Sequence, residues 1–142
     1  MKFLLRFMIS CLIYSYSLPL LAQESDAQAA AENILRSLAS QKFNYVWNNL
    51  TSDWAHKNWA PDAFLANMAM TRPALGELKD LSVVGREHIS HDQTTNVDGD
   101  IYAITFRSTY STGSFYERVV VIKDNDGKYR FSGIFGAPVP NQ

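Results

Sequence analysis

The stretch that decides the fold is 115–136, with the sequence FYERVVVIKDNDGKYRFSGIFG. Two apolar runs with embedded charges flank the sequence Asp-Asn-Asp-Gly at 124–127. An Asp-Gly step between two such runs is a strong signal for a β-hairpin. We therefore expect strands over 115–123 and 128–135, joined by a tight turn. The stretch contains no catalytic signature.

Two more strands are expected before this hairpin, because the apolar period is two from residue 78 onward. The first covers 78–87 and the second covers 101–110, where apolar and polar residues alternate most regularly. Glycines predict the turns that separate these strands, one at 98–100 and one at 111–113. The second half of the chain, from residue 78, is thus expected to be a run of four antiparallel strands.

Three helices are expected in the first half of the chain, where apolar residues follow the 3.6-residue period. They cover 26–38, 43–50 and 61–70. Ser25 or Asp26 can cap the first, and Pro61 occupies a favoured first position of the third. Pro73 and Gly76 end the helical half.

Helices followed by consecutive strands indicate an α+β fold. The simplest packing places the N-terminal helices on a curved four-stranded antiparallel meander sheet. Cystatin-like and nuclear-transport-factor-2-like folds have the same order of elements and often enclose a cone-shaped pocket, so by analogy we expect such a fold here.

Residues 1–22 have the pattern of a secretory signal peptide. Lys2 and Arg6 precede an apolar run of about 15 residues, shorter than the roughly 20 that a bilayer span needs, and Ala22 offers a small residue for cleavage. We expect one domain over 23–136, a flexible tail over 137–142, a periplasmic or secreted location, and no stable membrane anchor after cleavage. The alternatives are an uncleaved anchor or a lipoprotein modified at Cys11.

The mature chain is expected to lack cysteine, because Cys11 is the only one in the sequence. Neither a disulfide nor a thiol nucleophile would then be available. Without Lys2 and Arg6, 11 basic residues face 14 acidic ones, a net charge of −3. This weakly acidic balance argues against nucleic acid as a partner.

Glu117 is the one charge that the hairpin pattern places among apolar residues. Three-residue loops ending in Gly113 and Gly127 would set Arg107 opposite Glu117, on a face shared with Val119, Val121, Phe131 and Phe135. Such a carboxylate is either a pocket acid or ligand anchor, or half of a cross-strand ion pair that fixes the register. We favour the ion pair with Arg107.

Weaker candidates are an Asp53/His56 proton-transfer pair, and His88 with His91 beside Asp92 as metal ligands. Asp53 as a helix cap with an exposed His56 is the simpler interpretation. The two histidines lack further ligands, so no metal and no cofactor are expected. Three tryptophans could line a pocket or belong to the core: Trp47, Trp54 and Trp59.

The mature chain resembles a bacterial exported family known as domain of unknown function 4019. The resemblance rests on an alanine-rich helix at 30–38, a stretch ending in Trp47, an Arg-x-x-Leu-Gly turn at 72–76, and Glu117, Asp126-Gly127 and Gly133 in the last strands. Departures from the family pattern stand at four positions: Phe64, Lys79, Tyr129 and Ile134. The resemblance implies export and a compact α+β domain, draws attention to Arg72, and implies no activity and no catalytic residues.

Two functions compete on this evidence. The first is a non-enzymatic exported module that binds a protein, a small ligand or a cell-envelope component, or that forms a homodimer through the sheet. The sequence does not separate a purely structural envelope protein from this first function. The second is a small cavity enzyme, hydrolase or lyase-like, that uses Glu117 or the Asp53/His56 pair.

Overall fold

The computed structural model describes residues 2–93 and 95–141, with side chains described from residue 19 onward. Met1 and Gln142, and the side chain of Cys11, lie outside this described part. The elements follow in the order α1 (Lys2–Ala39), α2 (Phe43–Tyr45), a π-helical segment (Val46–Leu50), α3 (Asp53–Asn58), α4 (Pro61–Thr71), a 3₁₀ turn (Pro73–Leu75), β1 (Leu78–Asp92), β2 (Val97–Tyr110), β3 (Gly113–Lys123) and β4 (Tyr129–Pro138). The fold is α+β, as the sequence predicts.

Helix α1 packs against the sheet along one stripe of its C-terminal half. The stripe is fully buried and follows the helical period: Ala27, Ala31, Ile34, Leu35 and Leu38. The helix begins at Lys2 rather than near Asp26, because residues 20–31 contain no glycine or proline to stop it. In the described part of the chain, no helix combines the length and the apolar character needed to cross a membrane.

The segment after α1 docks on the edge of the sheet. Thr51 forms a parallel bridge with Phe131 of β4, and the Ser52 N–H donates to the Phe131 carbonyl at 2.9 Å. Ser52 also caps α3, because its side chain accepts from the Ala55 N–H at 3.1 Å. The expectation that Asp53 is the cap is therefore wrong by one residue.

The sheet has the expected order, β1-β2-β3-β4, with every neighbouring pair antiparallel. Strand β1 is longer than expected and continues to Asp92. Asp98, Gly99 and Asp100 belong to β2 rather than to a turn. The turn comes earlier, between Asp92 and Val97.

Two local features set a register that differs from the predicted one. The β2–β3 loop has two residues instead of three, so Tyr110 pairs with Gly113. In β4, Ser132 is an extra residue, because Val120 pairs with Gly133 while Val121 pairs with Phe131. This β-bulge turns the residues after it to the opposite faces. Strand β4 ends at Pro138 and so includes the first two residues of the predicted tail.

The core lies between α1, α4 and one face of the sheet. Its sheet side consists of alternating buried residues from three strands: Tyr102, Ile104, Phe106, Val119, Val121, Tyr129 and Phe131. Glu117 lies on the same face as Val119, Val121 and Phe131, as predicted. Phe135 does not, because the bulge moves it to the other face, where it is 64% exposed.

Candidate functional site

Helix α4 contacts the sheet through a pair of residues near each of its ends. Near the N-terminal end, the Phe64 and Phe131 ring centroids are 6.0 Å apart in an edge-to-face arrangement. At the C-terminal end, the Arg72 guanidinium reaches Glu117 of β3. The helix is thus fixed near both ends, by an apolar contact and by an ionic one.

Arg72, Glu117 and Tyr110 form a closed hydrogen-bonded triad. Arg72 Nη1 donates to Glu117 Oε1 at 2.6 Å, and Arg72 Nη2 donates to the Tyr110 hydroxyl at 2.6 Å. The Tyr110 hydroxyl donates to Glu117 Oε2 at 2.7 Å. Both carboxylate oxygens are therefore occupied, and all three residues are buried. Burial, reinforced by the hydrogen bond to Glu117, raises the pKa of Tyr110 well above its usual value.

Arg107, the predicted partner of Glu117, lies elsewhere, and that prediction is wrong. The two-residue loop sets Phe106 opposite Glu117 and Arg107 opposite Tyr116. Arg107 is exposed. The actual partner, Arg72, stands in the Arg-x-x-Leu-Gly turn that the family resemblance had singled out. The contribution of Tyr110 was missed, because no local pattern links it to a helix 38 residues earlier.

Two polar atoms in this region have no hydrogen-bond partner among the described residues. They are Arg72 Nε and the hydroxyl oxygen of Ser108, and both are buried. An unsatisfied buried group costs about 1–3 kcal/mol. Both terminal nitrogens of Arg72 and both carboxylate oxygens of Glu117 are therefore hydrogen-bonded within the triad, whereas Arg72 Nε is not.

A groove runs between α4 and β4. One part has a volume of about 590 Å³ and is lined by Trp59, Phe64 and Phe131 among others. The next part has a volume of about 370 Å³, and its lining includes Arg72 and Glu117. Asn67, Met68 and Ile134 line both parts, so the two parts adjoin. Volumes of this size are typical of ligand sites.

The walls of the groove are almost entirely uncharged. Among its described lining residues, only Arg72 and Glu117 carry charge, and they neutralise each other. A further hollow of about 390 Å³ lies on the opposite face of the sheet, lined by residues such as Ile89, Ile101 and Val120. Four residues line both this hollow and the groove: Trp54, Thr95, Ser132 and Phe135.

Asp53 and His56 do not form a proton-transfer pair. His56 Nε2 lies 2.7 Å from the Trp47 carbonyl oxygen, and its ring stands edge-on to the Trp47 ring at 4.7 Å. The Asp53 N–H points to the Asp124 carboxylate at 3.3 Å. Neither contact joins Asp53 to His56, and His56 is exposed, in agreement with the simpler interpretation.

The three tryptophans divide between core contacts and the groove. Trp47 packs on Phe64 at 5.2 Å, and Trp59 stacks parallel to Phe64 at 6.3 Å. Trp54 meets Trp59 edge-on at 5.9 Å, and this pair forms one end of the groove.

His88 and His91 form separate cross-strand pairs instead of a metal site. His88 lies 2.7 Å from Asp100, and His91 lies 2.7 Å from Asp98. Both histidines belong to β1, which continues beyond its expected end at residue 87. Over residues 2–93 and 95–141, no group of three or more candidate ligands could hold a metal ion.

The family model described as "Protein of unknown function (DUF4019)" matches residues 30–134. The chain belongs to this family. The matched region contains the triad and most of the residues that line the groove. No curated protein and no solved structure is similar enough to be matched to the chain.

Proposed function

We propose that this DUF4019 protein is an exported, non-enzymatic binding module that holds an uncharged ligand or protein segment in the groove between α4 and β4. The observation that carries the proposal is the lining of the groove, which holds no charge among its described residues apart from the paired Arg72 and Glu117. The helix that forms one wall is fixed near both ends. A rigid concave site with apolar walls and a few polar groups is the usual form of a binding site.

The contacts of the candidate acids favour binding over catalysis. A general base must come within hydrogen-bond reach of its substrate, whereas Glu117 is only 2% exposed and each of its oxygens already accepts a hydrogen bond, from Arg72 or Tyr110. The Asp53/His56 pair is not assembled. The alternative of a small hydrolase or lyase is therefore less well supported.

Export rests on the sequence of residues 1–22 and agrees with the burial along α1. Leu20 and Leu21 are 56% and 64% exposed, and Ala27 is the first residue of the described core. Removal of residues 1–22 would therefore leave that core intact. The measurement is the intact mass of the protein from a periplasmic or secreted fraction, with a mature chain beginning at Gln23 as the expected result. A chain retained at full length in the membrane fraction contradicts export.

Binding in the groove is tested with residues 23–142 and Nile red, an uncharged dye whose fluorescence increases in apolar surroundings. Ala63 and Ala66 are both exposed on α4, but only Ala63 lines the groove. We expect saturable binding that Ala63→Trp weakens at least about tenfold, because the indole fills the groove. Ala66→Trp is the matched control and should bind as the wild type does. Absence of saturable binding, or equal loss in both variants, contradicts the proposal.

A further inference from the structure

Strand β4 has an open edge that faces the groove. The Val139 N–H donates to the Ser114 carbonyl at 2.9 Å, which fixes which residues of β4 bond to β3. Because antiparallel partners alternate, positions 133, 135 and 137 direct their main-chain groups to β3. The N–H and C=O groups of Ile134 and Gly136 therefore point outward. No described residue outside β4 bonds to them.

The chain itself limits this open edge at both ends. On one side, the Phe131 carbonyl is taken by the Ser52 N–H. On the other side, Pro138 occupies the next outward position and has no N–H to offer. Proline at an outward position is a common protection of sheet edges. Ile134 and Gly136 thus form a short, defined window of free main-chain groups.

The window opens onto the part of the groove that Asn67, Met68 and Thr71 line from the opposite side. The side-chain amide of Asn67 is exposed and has no partner among the described residues. An occupant of this site must therefore offer alternating main-chain donors and acceptors on one side. Apart from the paired Arg72 and Glu117, nothing along the described walls would complement a charge.

We propose that the groove takes an extended, uncharged polypeptide segment of a partner protein, which adds to β4 as a fifth strand. The inference rests on the proposed binding function and specifies its ligand. Main-chain hydrogen bonds to Ile134 and Gly136 give the affinity, and an apolar side chain of the segment enters the space between Met68 and Ile134. Strand addition to an exposed edge is an established mode of peptide recognition.

The test uses a capped hexapeptide of alternating valine and threonine, and the same peptide with every second main-chain nitrogen methylated. We expect the unmodified peptide to displace Nile red from residues 23–142 and to slow amide hydrogen exchange at Ile134 and Gly136 at least about tenfold. The methylated peptide is made in two phases, with the methyl groups on the odd or on the even nitrogens. In at least one phase the methylated nitrogens face β4 and cannot donate, so that peptide should neither displace the dye nor slow exchange at the two amides.

Strand addition is overturned if the methylated peptide binds as well as the unmodified one in both phases. It is also overturned if binding leaves the amides of Ile134 and Gly136 unprotected, or if the dye binds and neither peptide does. In this last case the groove remains a binding site. If neither dye nor peptide binds, the proposed function fails as well.

A protein variant provides an independent test. Ile134→Pro removes an outward N–H without removing a bond to β3, and Ile134→Val retains that N–H. We expect the proline variant to lose at least about tenfold in peptide affinity and the valine variant to change by less than about threefold. Circular dichroism confirms that each variant is folded, and a folded proline variant with full affinity overturns the proposal.

Discussion

Arg72 and Glu117, 45 residues apart in the chain, form a buried ion pair of 2.6 Å that joins the C-terminal end of helix α4 to strand β3. A buried ion pair is often no more stable than well-packed apolar residues in its place, but the loss of one partner leaves an uncompensated buried charge. The pair therefore makes the position of α4 specific. It also lines the groove.

Arg72→Ala is expected to lower the free energy of unfolding of residues 23–142 by roughly 3–5 kcal/mol, because Glu117 then remains buried without its counter-charge. Urea unfolding measures the change. Arg107→Ala is the control, since this exposed arginine should contribute within about 0.5 kcal/mol. Equal effects of the two substitutions would restore the pairing predicted from sequence.

The double variant Arg72→Met, Glu117→Leu is expected to recover most of the stability that Arg72→Ala loses. When well-packed apolar residues replace a buried ion pair, the free energy of unfolding often stays the same or rises by about 1–4 kcal/mol. Urea unfolding of Arg72→Met, of Glu117→Leu and of the double variant gives the coupling energy between the two residues. Additive losses would mean that the two residues act separately.

Tyr110→Phe is expected to cost about 1–3 kcal/mol, because it leaves Glu117 Oε2 and Arg72 Nη2 each without a partner. Thermal or urea unfolding measures the cost. Tyr116→Phe is the matched control, since the Tyr116 side chain is 40% exposed and makes no such bond among the described residues. A similar cost for both would remove Tyr110 from the triad.

Ser52→Ala is expected to destabilise the protein by about 1–2 kcal/mol, because Ser52 caps α3 and also bonds to Ser132 at 2.9 Å. Ser132→Ala removes only the second of these contacts and should cost less. Urea unfolding compares the two. A greater cost for Ser132→Ala would mean that the hydroxyl contact at the bulge stabilises the fold more than the helix cap does.

Asp126 is expected to titrate with a pKa of about 2, because hydrogen bonds from Arg130 and then from the Lys128 N–H favour its ionised form. The pKa is lower in the folded chain than the usual 3.8. Ionised Asp126 therefore stabilises the fold above about pH 4, and this contribution is lost as the pH falls through 2. NMR titration of the carboxyl carbon measures the pKa, which Arg130→Gln should raise toward 3.8. A wild-type value near 3.8 contradicts the contact.

The elements and the strand order could be predicted from the sequence because they depend on local periods and turn residues. The register could not be predicted fully. A Ser-Thr-Gly sequence allows a two-residue or a three-residue loop, and the choice of two moved Arg107 away from Glu117. The bulge at Ser132 is supported by its hydroxyl contact with Ser52, 80 residues away, which no local pattern announces.

The residues of the candidate site also differ in whether a local sequence pattern predicts them. Glu117 was identified because a charge within an alternating apolar strand is a local anomaly. Arg72 entered only through a family motif, and Tyr110 did not enter at all, because both reach Glu117 through tertiary packing. The groove itself depends on the distance between α4 and β4, which the sequence does not encode in any short pattern.

Methyl NMR of residues 23–142 saturated with Nile red tests most directly whether the groove between α4 and β4 is the binding site. Met68 and Ile134 line that groove, whereas Ile89 and Ile101 line the hollow on the opposite face of the sheet. We predict large shifts of the Met68 and Ile134 methyl signals, with those of Ile89 and Ile101 unchanged. Shifts confined to Ile89 and Ile101 would contradict the account.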